Sequence, residues 1–188
     1  MASRFTVLDT PLDGLRLIER MPAKDDRGYF ERLFCEMDLR DVFDTRTISQ
    51  INCSVTKEVG AVRGLHFQLS PNAEMKLVSC TRGEIFDVAV DIRRSSRTFL
   101  QWFGVSLSED NARSLLIPEG FAHGFQVMRP DSQILYVNTA PYSSVHERVI
   151  NAVDPRIAIS WPLSIGRRSD RDVSAPMLDD SFLGVPAE

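Results

Sequence analysis

Ala61-Val62-Arg63-Gly64-Leu65-His66-Phe67-Gln68, followed by Met75-Lys76-Leu77-Val78, reads as a pair of β-strands. These strands carry an Arg, a His and a Lys. His and Lys can move protons or stabilise developing negative charge, and Arg can clamp a phosphate. Outward from this pair, residues 62 to 139 form a succession of short β segments. Met75–Thr81 leads through a tight Arg82-Gly83 turn into Glu84–Asp91, so those two runs are expected to form a hairpin. Gln101–Leu107, Ser114–Ile117, Ala122–Met128 and Gln133–Thr139 complete the series.

Upstream, Leu15–Glu19 and Gly28–Phe34 read as strands on either side of a charged turn from Pro22 to Gly28. Thr47–Ser54 fits a strand with Gln50 and Asn52 on one face. Glu36–Phe43, apolar at Met37, Leu39, Val42 and Phe43, is the one helical pattern of the first half. After Thr139, prolines 141, 155, 162 and 176 break the chain into short pieces. Such a tail is expected to wrap a barrel and bring polar groups to its mouth. Short, evenly spaced strands with little helical periodicity predict an antiparallel sandwich or barrel, one domain over residues 1–188.

The chain has 22 Lys and Arg against 26 Asp and Glu, a net charge of −4, which argues against a general nucleic-acid binder. A small anionic ligand needs only two or three local cations. Cys35, Cys53 and Cys80 are odd in number and form no C-x-x-C motif, so neither a disulfide framework nor a Cys-based zinc site is expected. The start has no apolar signal-like run, and no stretch is long and apolar enough to span a bilayer. The expectation is a cytoplasmic protein without a membrane or nucleic-acid partner.

Pro118-Glu119-Gly120-Phe121-Ala122-His123 has the form P-x-G-x-x-H, which resembles the second motif of the cupin superfamily of jelly-roll barrels. Many cupins bind a metal, with two His one residue apart in their first motif. Here that region has only His66, followed by Phe67. A three-His set would require His66, His123 and His146, the last in the irregular tail. No metal and no cofactor are expected. Taken singly, His66 reads as a packed or surface His, Lys76 as a surface Lys, Asp87 as a satisfied carboxylate and Tyr136 as a core Tyr.

Taken together the motifs say more. Val62–Gln68, Lys76-Leu77-Val78, Gly83–Arg93 and Ile117-Pro118-Glu119-Gly120-Phe121-Ala122-His123-Gly124-Phe125 occur in that order. They closely resemble the dTDP-4-dehydrorhamnose 3,5-epimerase family over roughly residues 15 to 180. The resemblance implies an all-β, antiparallel, cupin-like jelly-roll barrel with short helices and an irregular C-terminal tail. It also implies a nucleotide-linked 4-keto-6-deoxyhexose as substrate. The C4 ketone of such a sugar acidifies the hydrogens on C3 and C5, and inversion needs a base on one face, an acid on the other and a cation near the enolate oxygen.

By resemblance His66 is the base and Tyr136 the acid, while Lys76 stabilises the enolate. Asp172 orients His66, with Asp170 as its competitor, and Asp87 is a candidate to hold Lys76. Arg27, Arg63 and Arg171 match diphosphate contacts. Gln50, Asn52 and Tyr142 match the lining of the sugar and diphosphate region, and His123 lines the same pocket. A homodimer is implied, with the N-terminal strand and Arg27 reaching the partner's site. Two features depart from the family pattern. Arg27-Gly28-Tyr29-Phe30-Glu31-Arg32 puts Arg32 where a Glu is usual, and a one-residue shift on a strand reverses a side chain. Leu135-Tyr136-Val137 lacks the Lys that often follows the Tyr. The first departure leaves GDP or CDP sugars as alternatives, and inversion at a single centre is another, because single and double epimerases share these residues. A metal-dependent cupin and a non-catalytic sugar-nucleotide binder are the further readings.

Overall fold

The structure is a computed structural model that describes residues 3–186. Strands β1 (Phe5–Asp9), β2 (Arg16–Arg20), β3 (Ala23–Asp25) and β4 (Gly28–Phe30) precede the short helix α1 (Arg40–Phe43). Then come β5 (Gln50–Thr56), β6 (Val62–Gln68), β7 (Lys76–Arg82), β8 (Glu84–Asp91) and β9 (Trp102–Ser108). Strands β10 (Arg113–Ile117), β11 (Phe121–Val127), β12 (Ser132–Asn138) and β13 (Glu147–Val149) and helix α2 (Asp170–Val173) finish the chain. A six-stranded sheet in the order β1-β2-β10-β7-β12-β5 faces a five-stranded sheet in the order β13-β6-β11-β8-β9, and β3 and β4 form a separate hairpin. Pairing within these sheets is antiparallel. This is the expected jelly-roll barrel.

Strand alternation sets what lines the interior. Val78 and Cys80 on β7 and Ile134 on β12 meet Ile85 and Ala89 on β8 and Phe121 and Phe125 on β11 in one buried cluster between the sheets. The opposite face of the six-stranded sheet, with Ile18, Leu77, Leu116 and Val137, is covered by Leu39, Phe43 and Ile48. The outer face of the five-stranded sheet, with Leu65, Phe67, Val88 and Val90, lies under Ile150, Ile157, Trp161 and Phe182 of the C-terminal segment. Lys76, Asp87, His123, Tyr136 and Asn138 are in step with the inner-face residues of their strands, so period 2 turns them inward.

The structure corrects several sequence expectations. β7 and β8 are not a hairpin: β7 is flanked by β10 and β12, and β8 by β11 and β9, so neither has an edge left for the other. The single residue between them, Gly83 at φ +76°, carries the chain from one sheet to the other. Arg-Gly between two apolar runs looks the same in sequence whether the chain turns back or crosses over. The predicted helix over Glu36–Phe43 shrinks to the four residues of α1, because the segment's order comes from packing Leu39 and Phe43 on the sheet. The charged turn before Gly28 contains β3, and β1 at the sheet edge had no sequence signal. Among the described residues no helix is long and apolar enough to cross a membrane.

Candidate active site

Lys76, His123, Tyr136 and Asn138 line a cavity of about 240 Å³, and a groove of about 720 Å³ shares Arg63 and His66 with it. On a regular strand Arg63 and His66, three residues apart, would point to opposite faces. The β6–β11 register shifts between His66↔His123 and Arg63↔Phe125, and Gly64 sits in this irregularity at φ +125°. A Cβ at Gly64 would lie 2.6 Å from the Gly124 Cα, so this close approach of two strands requires glycine. The R-G-L-H sequence thereby brings both side chains to one site.

His66 Nε2 lies 2.7 Å from Asp172 Oδ1. Asp172 is in α2, whose N-cap is Ser169, and its Oδ2 accepts from the Gly64 amide at 3.5 Å. Burial pushes the Asp172 carboxyl up. The hydrogen bond and charge of His66, with the Ser169 and Gly64 hydrogen bonds, outweigh that and hold it below its ordinary value. A carboxylate only accepts, so His66 Nε2–H donates, and in the neutral imidazole Nδ1 carries the lone pair. Asp170, the competing candidate, is not the one bonded to His66.

A lowered carboxyl pKa stabilises the fold above its ordinary value, and that contribution is lost as pH falls through the folded value. The stability advantage of the wild type over Asp172→Asn, read from urea midpoints, is therefore expected to be full at neutral pH. It should fade once the pH drops below the ordinary carboxyl value of 3.8. An advantage unchanged at pH 2 would contradict the dyad as drawn.

Tyr136 stands on the opposite sheet from His66 and lines the same cavity. Its hydroxyl is 3.1 Å from Ser54 Oγ. Burial pushes the phenol up to about 12, and the Ser54 hydrogen bond offsets only part of that. The hydroxyl is therefore protonated throughout the physiological range. Beside it, His123 Nε2 lies 2.8 Å from Asp87 Oδ1, with Asp87 fully buried. The expectation that Asp87 holds Lys76 is thus wrong: Lys76 Nζ pairs with Glu74 Oε1 at 3.0 Å. Asp87 belongs to β8 in the other sheet, while Glu74 directly precedes the strand that Lys76 begins.

Of the other expected residues, Asn52, Arg63, His123 and Tyr142 line the cavity, and Arg171 lines the groove. Arg63 Nε donates to Thr56 Oγ1 at 2.9 Å. Gln50 Oε1 accepts from the Tyr142 amide at 2.5 Å. Arg171 Nη1 and the Tyr142 hydroxyl both bond Glu147 Oε2, at 2.7 and 2.8 Å. Arg27 is not brought to this site. It is 90 % exposed in the β3–β4 turn, paired with Asp25 at 2.6 Å.

Glu74, Asn138 and Glu147 also line the cavity and were not anticipated. Asn138 lies two residues beyond Tyr136, so period 2 alone could have found it. Glu147 lies beyond the tail's first proline, without a pattern to mark it. Arg32, the departure from the family pattern, lies 3.5 Å from Asp38, and its neighbour Glu31 is spent on buried Arg20 at 2.8 Å. Among the described residues no three His, Cys, Asp or Glu side chains converge as a metal-binding set.

An imidazole bonded to a carboxylate on one side and a protonated phenol on the opposite sheet is a geometry able to move protons on two faces of one carbon. Comparison with known proteins agrees with this chemistry. A dTDP-4-dehydrorhamnose 3,5-epimerase family model matches residues 9–180. The dTDP-4-dehydrorhamnose 3,5-epimerase of Sinorhizobium fredii is 44% identical over 165 residues, covering 87% of this chain and 85% of its own. That of Salmonella typhimurium is 42% identical over 179 residues, covering 94% and 97%. The crystal structure of a Legionella pneumophila dTDP-6-deoxy-D-glucose-3,5-epimerase, in complex with dTDP-4-keto-L-rhamnose, superposes with a TM-score of 0.91 at 39% identity, covering 98% of this chain and 99% of that one. Sequence, fold and the disposition of the proton-handling groups thus lead to one conclusion: the chain belongs to the dTDP-4-dehydrorhamnose 3,5-epimerase family.

Proposed function

We propose that this epimerase inverts C3 and C5 of dTDP-4-dehydro-6-deoxyglucose, with His66 as base, Tyr136 as acid and Lys76 at the enolate oxygen. The observation that carries the reading is the placement of the His66–Asp172 dyad and Tyr136 on opposite sheets of one cavity. His66 Nδ1 takes the proton from C3, and the C–H electron pair moves into the C4 carbonyl to give an enolate. The Tyr136 hydroxyl then delivers a proton to the opposite face of C3 as the carbonyl re-forms, which inverts the centre. C5, the other carbon flanking C4, follows the same course. His66 loses its proton to solvent and Tyr136 regains one, which resets the pair.

Stabilising the enolate by fixed donors matters more than binding the neutral ketone, because only interactions stronger in the transition state raise kcat. For the diphosphate, Arg63 and Arg171 stand along the groove that leads away from His66. Arg27, exposed and distant from its own cavity, suits a contact with the site of a second copy in a homodimer. Sedimentation is expected to give twice the 21.2 kDa chain mass, and a monomer would remove Arg27 from the site. A cytoplasmic location fits the three free cysteines.

Proton NMR in deuterated water with dTDP-4-keto-6-deoxyglucose tests the reading. Deuterium uptake at both C3 and C5 is expected. Uptake at C3 alone would make this a single-centre enzyme. No uptake, with uptake from a GDP or CDP sugar instead, would assign the nucleotide specificity to Arg32.

A further inference from the structure

Lys76 is a proposed catalytic group whose ionic partner lies outside the roles assigned so far. Its side chain and that of Glu74 are 8% and 10% exposed, with Nζ and Oε1 3.0 Å apart. The other carboxylate oxygen, Glu74 Oε2, accepts from Asn138 Nδ2 at 2.8 Å. Asn138 is the register partner of Lys76 across β7 and β12, and it stands two residues from Tyr136 on the same strand. The backbone between Glu74 and Lys76 is clamped as well: the Met75 amide donates to Thr139 Oγ1 at 2.9 Å, and the Thr139 amide to Met75 O at 3.0 Å. Glu74 is thus fixed at its main chain and at both carboxylate oxygens, on the cavity wall.

We propose that Glu74 is the positioning residue for Lys76, holding its ammonium aimed at the substrate's C4 oxygen. The inference rests on the reading of Lys76 given above. A lysine has four flexible side-chain bonds. An adjacent, fixed carboxylate restrains them. It also keeps Lys76 away from the competing anchor, Asp87, which is buried beside His123 with Oδ2 unpartnered. An ammonium has three N–H donors. With one directed to Glu74, two remain for the substrate oxygen. The pair is neutral as a whole, so it adds little attraction for a neutral ketone. The free donors gain strength only as negative charge develops on that oxygen, so the contribution belongs in kcat rather than KM.

The experiment is a double-mutant cycle on the full-length protein, with solvent-deuterium exchange into dTDP-4-keto-6-deoxyglucose, dTDP affinity and thermal melting as readouts. Glu74→Gln keeps the shape and removes the charge. It is expected to lower kcat for exchange by about tenfold or more while KM and dTDP affinity change by less than about threefold. In the Lys76→Ala background the same change should have no further effect, because Glu74 acts through Lys76. Glu74→Asp, which retains the charge, should keep more activity than Glu74→Gln, and it serves as the second variant if Glu74→Gln melts below the assay temperature. Unchanged kcat in Glu74→Gln, an additive loss on top of Lys76→Ala, or a Glu74→Asp no better than Glu74→Gln would overturn the proposal. Full exchange in Lys76→Ala alone would instead refute the role of Lys76, whatever Glu74 does.

Discussion

Replacing His66 by alanine is expected to reduce deuterium uptake at C3 and C5 by about three orders of magnitude, within the usual range for loss of a general base. Asp172 is held as a carboxylate, so it accepts a hydrogen bond from His66 Nε2–H at 2.7 Å, which leaves Nδ1 as the basic atom of the neutral ring. His66 is the more accessible of the two cavity histidines, its side chain 34% exposed against 6% for His123. His123, its cross-strand neighbour, has Nε2 committed to Asp87 at 2.8 Å and is nearly buried. Alanine carries a complication, since it strips a buried carboxylate of its main donor. His66→Asn avoids it, because an amide can still donate to Asp172 but is too weak a base to accept the proton from carbon. Both variants should bind dTDP within about threefold of wild type, since the base acts on the sugar and not on the phosphates. Exchange at the wild-type rate in His66→Asn would end the assignment of His66 as base.

The reach of sequence reading differs sharply between fold and site. The strands β6, β7, β11 and β12 were legible as apolar runs, whereas the inward direction of Lys76, His123 and Tyr136 came only through family resemblance, although each sits two residues from an apolar core position on its strand. The strand partners were not legible. Glu84–Asp91 was assigned to the neighbouring run in sequence, yet it crosses at Gly83 into the other sheet. Sheet assignment depends on which strands already occupy both edges, and that is a property of the whole barrel. The same cause explains the exchange of Glu74 for Asp87 as the partner of Lys76. Both carboxylates are near Lys76 in the chain's motifs, but only the three-dimensional pairing puts one of them on the same sheet as its Nζ. Asp172 was reachable only through family resemblance, because nothing local in Ser169–Ser174 says that this turn closes over β6. Arg27 could be named in the same way, but no residue of its own cavity explains it.

Tyr136→Phe is expected to separate the two proton transfers. Phenylalanine keeps the ring in its edge contact with His123, at 6.3 Å between centroids, and keeps its place against the inter-sheet cluster. The loss is the hydroxyl, whose hydrogen-bond partner among the described residues, Ser54, is half-buried and can turn to water. The phenol is pushed up to about 12, so in the wild type it is a proton donor and not a competing base. Without it, His66 still removes the proton and can return a deuteron to the same face after exchange with solvent. Net inversion should therefore fall by about 10²- to 10³-fold, while deuterium uptake with retained configuration falls much less. One NMR time course reads both quantities from the same sample. Equal slowing of exchange and inversion would show that the hydroxyl assists proton removal or merely shapes the cavity, and Tyr136 would then lose its role as the acid on the second face.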